Sequence, residues 1–292
     1  MILQKNRIMI AWQAFLTNYR LWRRRWFYPL ISLVVALSVC LSAPLPGRAF
    51  DLLPLLFQGV QIFQLSNISD RQEVDLGKEM NQQLSSEVRL YRNPEVNRYV
   101  EQIGRRLAAS SDRPNLPYTF QVVQDDSINA FATLGGYVYV HTGLLKTADN
   151  EAELASVLAH EIGHIGGKHL VKQMQQKALE SGLLTAAGLD RNTAVSIGMQ
   201  LVRDLPRSRK NEFDADQRGL KTLSRTGYAQ SGMVSFMNKL LGKGSTPAFL
   251  STHPATGDRI DALKRAISSQ PTNGRDGLDN SIYKTNTRAL RS

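Results

Sequence analysis

Apolar positions recur at helical intervals along most of this chain. Val74, Leu76, Met80 and Leu84 fall near one face and predict a helix over about Asp70 to Leu90. Asn93-Pro94 interrupts that pattern, and Pro94 suits the first turn of a second helix to about Ala109, with a stripe of Val96, Val100, Ile103 and Leu107. Breakers fill Ser110 to Pro117. Tyr118 to Val123 starts with strand-like alternation and Tyr137 to His141 is rich in strand formers, which predicts a small sheet. Between them, Gly135 and Gly136 suit a turn or a close backbone approach. Helical spacing resumes at Asn150, with Asp149 or Asn150 as cap of a helix through His164. Amphipathic pieces follow from Met174 to Leu205, broken around Gly188. Further helices are expected over about Ser208–Ser224, Gly232–Leu241 and, after the turn at Thr252-His253-Pro254, Asp258–Ser268. Residues 270–292 are polar and read as a flexible tail. The pattern predicts an α+β fold, mainly helical, with no internal repeat.

Composition narrows the class. With 292 residues and 42% apolar content, the chain can fill the core of one large domain or two small ones. The net charge is +11, but Lys5, Arg7, Arg20, Arg23, Arg24, Arg25 and Arg48 supply seven of those charges with no acid before residue 50, which leaves +4 for the rest. No basic patch marks the body of the chain, so nucleic acid is not an expected partner. Cys40 is the single cysteine. An intrachain disulfide is impossible, and a metal held beyond residue 50 must be held by nitrogen and oxygen.

The N-terminus has the layout of an export signal. Arg23-Arg24-Arg25 precedes an apolar run from about Leu30 to Ala43, and Gly47-Arg48-Ala49 supplies a small-x-small site. The run is short against the ~20 apolar residues of a membrane span. Residues 1–49 are therefore expected to be a cleaved signal peptide or an N-terminal membrane anchor. The apolar Leu52-Leu53-Pro54-Leu55-Leu56-Phe57 keeps the anchor, and contact with a membrane surface, in play. Positive charge ahead of the run keeps that end in the cytoplasm and sends the body of the chain across the membrane. Residues 50–269 are the expected catalytic domain.

The candidate chemistry lies in His160-Glu161-Ile162-Gly163-His164. Helical residues four apart share a face, so two imidazoles can meet one ion, and Glu161 beside them can take a proton from a metal-activated water. Three of the five histidines fall within ten positions here. A catalytic zinc usually has three protein ligands. His169 invites the HExxHxxGxxH pattern, but that pattern needs a histidine at 170, which is Leu170, and a continuous helix would turn His169 about 180° from His160. Glu212 is the better candidate. Asp216 shares its face and could accept a hydrogen bond from a ligating histidine.

Several segments together resemble one family. They are Asp70 to Gly77, Asn129-Ala130-Phe131 with Gly135-Gly136-Tyr137, His141 to Leu145, Ala155 to His164, Glu212 to Asp216, and Thr252-His253-Pro254 with Arg259-Ile260. In this order they resemble the gluzincin metallopeptidases of the CAAX prenyl protease, HtpX and BepA, most closely the exported BepA-type members. The resemblance implies a zincin-type catalytic domain with an HExxH active-site helix and one Zn2+ per chain. It implies His160, His164 and Glu212 as zinc ligands, Glu161 as general base and Asp216 as their support. It further implies a catalytic part for His253, at the oxyanion or as a plug over the metal, and for Arg259. A substrate strand is expected to add along Tyr137–His141, with Asn129, Gly135, Gly136 and Tyr137 as binding residues. The implied activity is hydrolysis of misfolded or unassembled polypeptides in the envelope. A chaperone-like binding module that keeps zinc without catalysis is the alternative, and the presence of Glu161 speaks against it.

Overall fold

The computed structural model describes residues 65–183, 189–204, 207–242, 247–254, 257–270 and 273–291. The signal or anchor expected before residue 50, with Cys40 and the run at Leu52–Phe57, lies outside the described residues. Helix α1 spans Asp70–Glu87 and starts in a reciprocal cap between Ser69 and Gln72. Helix α2 spans Pro94–Ala109, capped by Asn93, and buries the expected stripe of Val96, Val100, Ile103 and Leu107. Strands β1 (Thr119–Val123), β2 (Ala130–Ala132) and β3 (Tyr137–His141) follow, then the short α3 (Thr142–Thr147). The helical remainder comprises α4 (Glu151–Gly166), α5 (His169–Glu180), α6 (Arg191–Asp204), α7 (Arg209–Thr226), α8 (Ser231–Leu241), α9 (Ala248–Thr252), α10 (Gly257–Ser269) and α11 (Asn280–Asn286). The fold is the mainly helical α+β architecture expected. Among the described residues, no helix is long and apolar enough to cross a membrane.

The sheet runs in the order β1-β3-β2, parallel between β1 and β3 and antiparallel between β3 and β2. It divides the apolar interior. Val138 and Val140 face one cluster, with α2, α4 and α8, while Tyr139 faces a second, with α1, α5 and α6. This corrects the expectation that Tyr137–His141 offers its edge to substrate: β3 is the central strand, paired on both sides. The outer side of β1 is covered near its end, where Tyr91 N–H donates to Val122 O (2.8 Å) and Gln124 N–H to Arg89 O (2.7 Å). The edge without a strand partner belongs to β2, although Ala130 and Ala132 are buried there and Phe249 N–H donates to Ile128 O (2.9 Å). Asn129 accepts from His141 N–H and Thr133 donates to Tyr137 O, so alternation turns the backbone of Ala130 and Ala132 away from β3. Gly135 and Gly136 serve packing. A Cβ on Gly135, at φ 72°, would lie 2.9 Å from Val74 Cα, and one on Gly136 would lie 3.2 Å from Tyr118 Cα.

Helix α4 is the hub. Asn150 caps it by accepting from Glu153 N–H (3.0 Å), and residues 152–165 are all buried. Helix α7 crosses it at van der Waals limit. A Cβ on Gly163 would lie 2.6 Å from Ala215 O, and the N–H of His160 is 3.3 Å from where a Cβ on Gly219 would sit. Only small residues at the crossing let α7 bring its acids to the α4 histidines.

The expected flexible tail is also corrected. Residues 273–291 dock on the hub: Ala152 N–H donates to Gly277 O (2.9 Å), Tyr283 is fully buried with its hydroxyl donating to Leu145 O (2.7 Å), and Tyr91 donates to Ala289 O (3.0 Å). Tyr283 and Leu290 are the segment's two buried apolar anchors, while Leu278 and Ile282 stay exposed, so the anchors are too sparse to register as a periodic pattern.

Candidate active site

The α4 histidines converge with an acid of α7 and a histidine that follows α9. His160 Nε2 lies 3.0 Å from His164 Nε2, 3.2 Å from His253 Nδ1 and 3.4 Å from Glu212 Oε2. Glu212 Oε1 lies 3.2 Å from His164 Nε2 and 3.3 Å from His253 Nδ1. All four donor atoms fall within 4.8 Å of one another, and all four residues are buried. Glu212 Oε2 is paired with Arg259 Nη1 (2.8 Å), whereas Oε1 has only the histidine nitrogens beside it and no hydrogen-bond partner. Burial alone would raise the Glu212 pKa, but His253, His160 and His164 hold it far below the ordinary carboxylate range. These residues fit a divalent cation. Four nitrogen and oxygen donors about a zinc at ~2.0–2.1 Å are separated by about 3.3–3.4 Å, close to the spacings here. A buried carboxylate oxygen left without a partner, as Oε1 is, is otherwise costly.

Supporting contacts fix the ring orientations. Asp216, one turn beyond Glu212, has Oδ1 2.9 Å from His160 Nδ1. Arg259 of α10 binds Asp216 through Nε and Nη2 (2.7 and 2.8 Å) and Glu212 Oε2 through Nη1 (2.8 Å). Its guanidinium is thereby spent on the two α7 acids, which makes Arg259 a positioning residue. Burial opposes charge on His160, yet Asp216 and Glu212 push its pKa up to about 9. Sequence reasoning missed the support on the other side. His164 Nδ1 lies 2.8 Å from His169 Nδ1, and His169 Nε2 lies 2.9 Å from Asp214 Oδ2. Helix α4 stops at Gly166, and Lys168 turns left-handed at φ 51°, which swings His169 back behind His164. Burial, with Asp214 opposing it, pulls the His169 pKa down to about 4. The glycine pair at 166–167 was the one available signal for that break.

Glu161 points into the same space. It is fully buried, neither oxygen has a hydrogen-bond partner, and Oε1 is 3.4 Å from His253 Nε2. His253 is itself fully buried and stacks on Phe249, with centroids 4.6 Å apart and planes at 17°. Of the expected substrate residues, Gly135, Gly136 and Tyr137 sit in packing roles away from this cluster. Asn129 borders the β2 edge with a buried, unpartnered Oδ1.

The sequence model of peptidase family M48 matches residues 94–267, a span that contains every residue of this cluster. The chain belongs to peptidase family M48. Among the relatives of this M48 chain, the beta-barrel assembly-enhancing protease of Escherichia coli is 31% identical over 277 residues, 89% of this chain and 56% of its own length. The protein of that name from Yersinia pestis is 33% identical over 224 residues, 70% of this chain and 46% of its own. Metalloprotease LoiP of Escherichia coli is 28% identical over 251 residues, 82% of this chain and 97% of its own. This M48 chain thus spans about half the length of the beta-barrel assembly-enhancing proteases it matches and nearly all of LoiP. The M48 match and the nitrogen-oxygen donor cluster together mark a metallopeptidase domain.

Proposed function

We propose that the chain is a zinc metalloendopeptidase, with His160, His164 and Glu212 holding one Zn2+ and Glu161 as general base. The observation that carries this is the convergence of those three donors beside a buried carboxylate with no partner of its own. When bound, the zinc supplies a Lewis acid that acidifies a water and polarises the scissile carbonyl. Glu161 accepts the proton of the attacking water and passes it to the leaving amine, a transfer its unpartnered oxygens leave it free to make. Asp216 and Arg259 hold His160 and Glu212 in register. The backbone of Ala130 and Ala132 on the side turned from β3 receives the substrate as an added strand once α9, bonded to Ile128 O through Phe249 N–H, moves aside.

His253 gives this site a resting state. Its Nδ1 stands among the ligand atoms and its Nε2 faces Glu161, so it fills the space a reacting carbonyl needs. Substrate entry requires the segment from α9 to His253 to move. The relatives named for enhancing beta-barrel assembly favour polypeptides on the way to assembly, here taken as misfolded or unassembled envelope proteins, as substrates. Residues 1–49 act as signal or anchor, and the domain works in the periplasm or at its membrane surface. Purified chain carrying zinc should cleave an unfolded protein such as casein, and Glu161→Gln should abolish cleavage with zinc retained. Undiminished cleavage by that variant rejects the mechanism. Zinc bound at one per chain with no cleavage of any unfolded protein favours the chaperone-like module.

A further inference from the structure

Arg207 is a buried cation without an anion. It directly precedes Ser208, the cap of α7, and its own N–H donates to Thr252 O (3.0 Å). Its side chain sits in a residue only 8% exposed, yet Nε has no partner. Nη1 reaches Gln173 Oε1 and Nη2 reaches Ala132 O, both at 3.5 Å, the outer limit of a hydrogen bond. Among the described residues it forms no ion pair. Arg259, also buried, and Arg113, partly buried, differ. Arg259 is saturated by Asp216 and Glu212, and Arg113 by Glu73 and Asp70. Arginine is rarely buried unless paired, and its planar fork matches a carboxylate in two parallel hydrogen bonds. Arg207 also lines one recess with His164, Ala132, Thr133 and Leu170. That recess runs from His164 of the candidate metal cluster to Ala132, and Ala132 O, on the side of β2 turned from β3, is one of the two acceptors 3.5 Å from the guanidinium. A chain laid along β2 brings its own groups within reach of the guanidinium.

We propose that Arg207 receives a carboxylate of the polypeptide substrate, in a subsite between the β2 edge and His164. The carboxylate comes either from an acidic side chain or from a free chain terminus. Because this rests on the peptidase activity proposed above, binding and cleavage are measured separately. Full-length chain with zinc is given fluorogenic peptides that differ only by Glu or Gln at successive positions, each as free acid and as amide. Glu161→Gln protein serves for binding by fluorescence anisotropy. At one position, or at the terminus, the carboxylate form should bind about tenfold more tightly or better, the scale of a charge-assisted pair. In cleavage the preference should appear mainly in KM. Arg207→Gln should collapse the ratio, and Arg207→Lys should restore part of it. A Glu preference with free acid and amide alike identifies a side chain, and an acid-over-amide preference alone identifies a terminus. Equal binding of all carboxylate and neutral pairs by protein with native Arg207 overturns the proposal, whatever the variants do. A ratio that survives Arg207→Gln in folded protein overturns it too. Carboxylate-selective binding lost in Arg207→Gln, with no cleavage anywhere, upholds the subsite and rejects only the peptidase activity.

Discussion

Gly163→Ala is the most economical test of how α4 and α7 build the site. The new Cβ would lie 2.6 Å from Ala215 O and 3.1 Å from Ala215 Cα. Both are backbone atoms, so no side chain can swing aside. Reaching ordinary contact at 3.4 Å requires the helices to part by about 0.8 Å in a close-packed interior. Glu212 lies one turn before Ala215 and moves with it, whereas ligand distances must hold within about 0.2 Å for a working metal site. Overpacking costs about 1–3 kcal/mol, against a gain of up to about 1 kcal/mol from replacing a helical glycine. A net loss of about 1–2 kcal/mol is expected, with zinc affinity weakened tenfold or more. Chelator competition measures the zinc Kd, and thermal melting with and without EDTA measures stability. Gly166→Ala is the control on the same helix, because its Cβ would meet nothing nearer than 3.6 Å. It should leave the zinc Kd unchanged. Gly163→Ala protein that binds zinc as tightly as wild type and melts no lower refutes the argument.

Three other outcomes follow from the contacts described. Asp216→Asn removes the charged acceptor shared by His160 and Arg259, and should raise the zinc Kd about 10–100-fold in the same competition assay. An unchanged Kd shows that the contact does not orient the ligand. Tyr283→Ala empties a fully buried site under α4 and should cost about 3–5 kcal/mol by denaturant unfolding; a change below about 0.5 kcal/mol means the C-terminal segment does not hold the domain. Burial, opposed by Asp125, holds the His141 pKa below its ordinary 6.5. A depressed pKa contributes stability above 6.5 that is lost as pH falls through the folded value. Melting of wild type should therefore fall more steeply than that of His141→Asn between about pH 7 and pH 5, and parallel curves would contradict it.

What could be read from residues alone depended on range. The α2 stripe repeats four times at helical spacing, and it is the buried face. The pairs His160/His164 and Glu212/Asp216 needed only helix periodicity to share faces, and the structure brings those faces together. Their meeting depends on Gly163 opposite Ala215, which no local pattern announces. The place of His169 was illegible because extrapolation assumed a continuous helix, while Lys168 reverses the chain. β2 was missed because three residues carry no alternation worth reading. Which strand is the edge is decided by pairing order and not by composition. Arg207 gave no signal at all, since an arginine in a charged stretch reads as solvated until its burial is seen.

The brevity of β2 has a consequence of its own. The side of β2 turned from β3 has only two rungs, at Ala130 and Ala132, both buried, so it is too short and too covered a template for a second copy of the sheet to zip onto. Two rungs also carry no record of side-chain identity. In the strand addition proposed above they would admit a segment because it is extended and unpaired, and turn away one already folded into a helix or a sheet. Selection by sequence would then act elsewhere along the path, while the edge itself would sort chains by conformation.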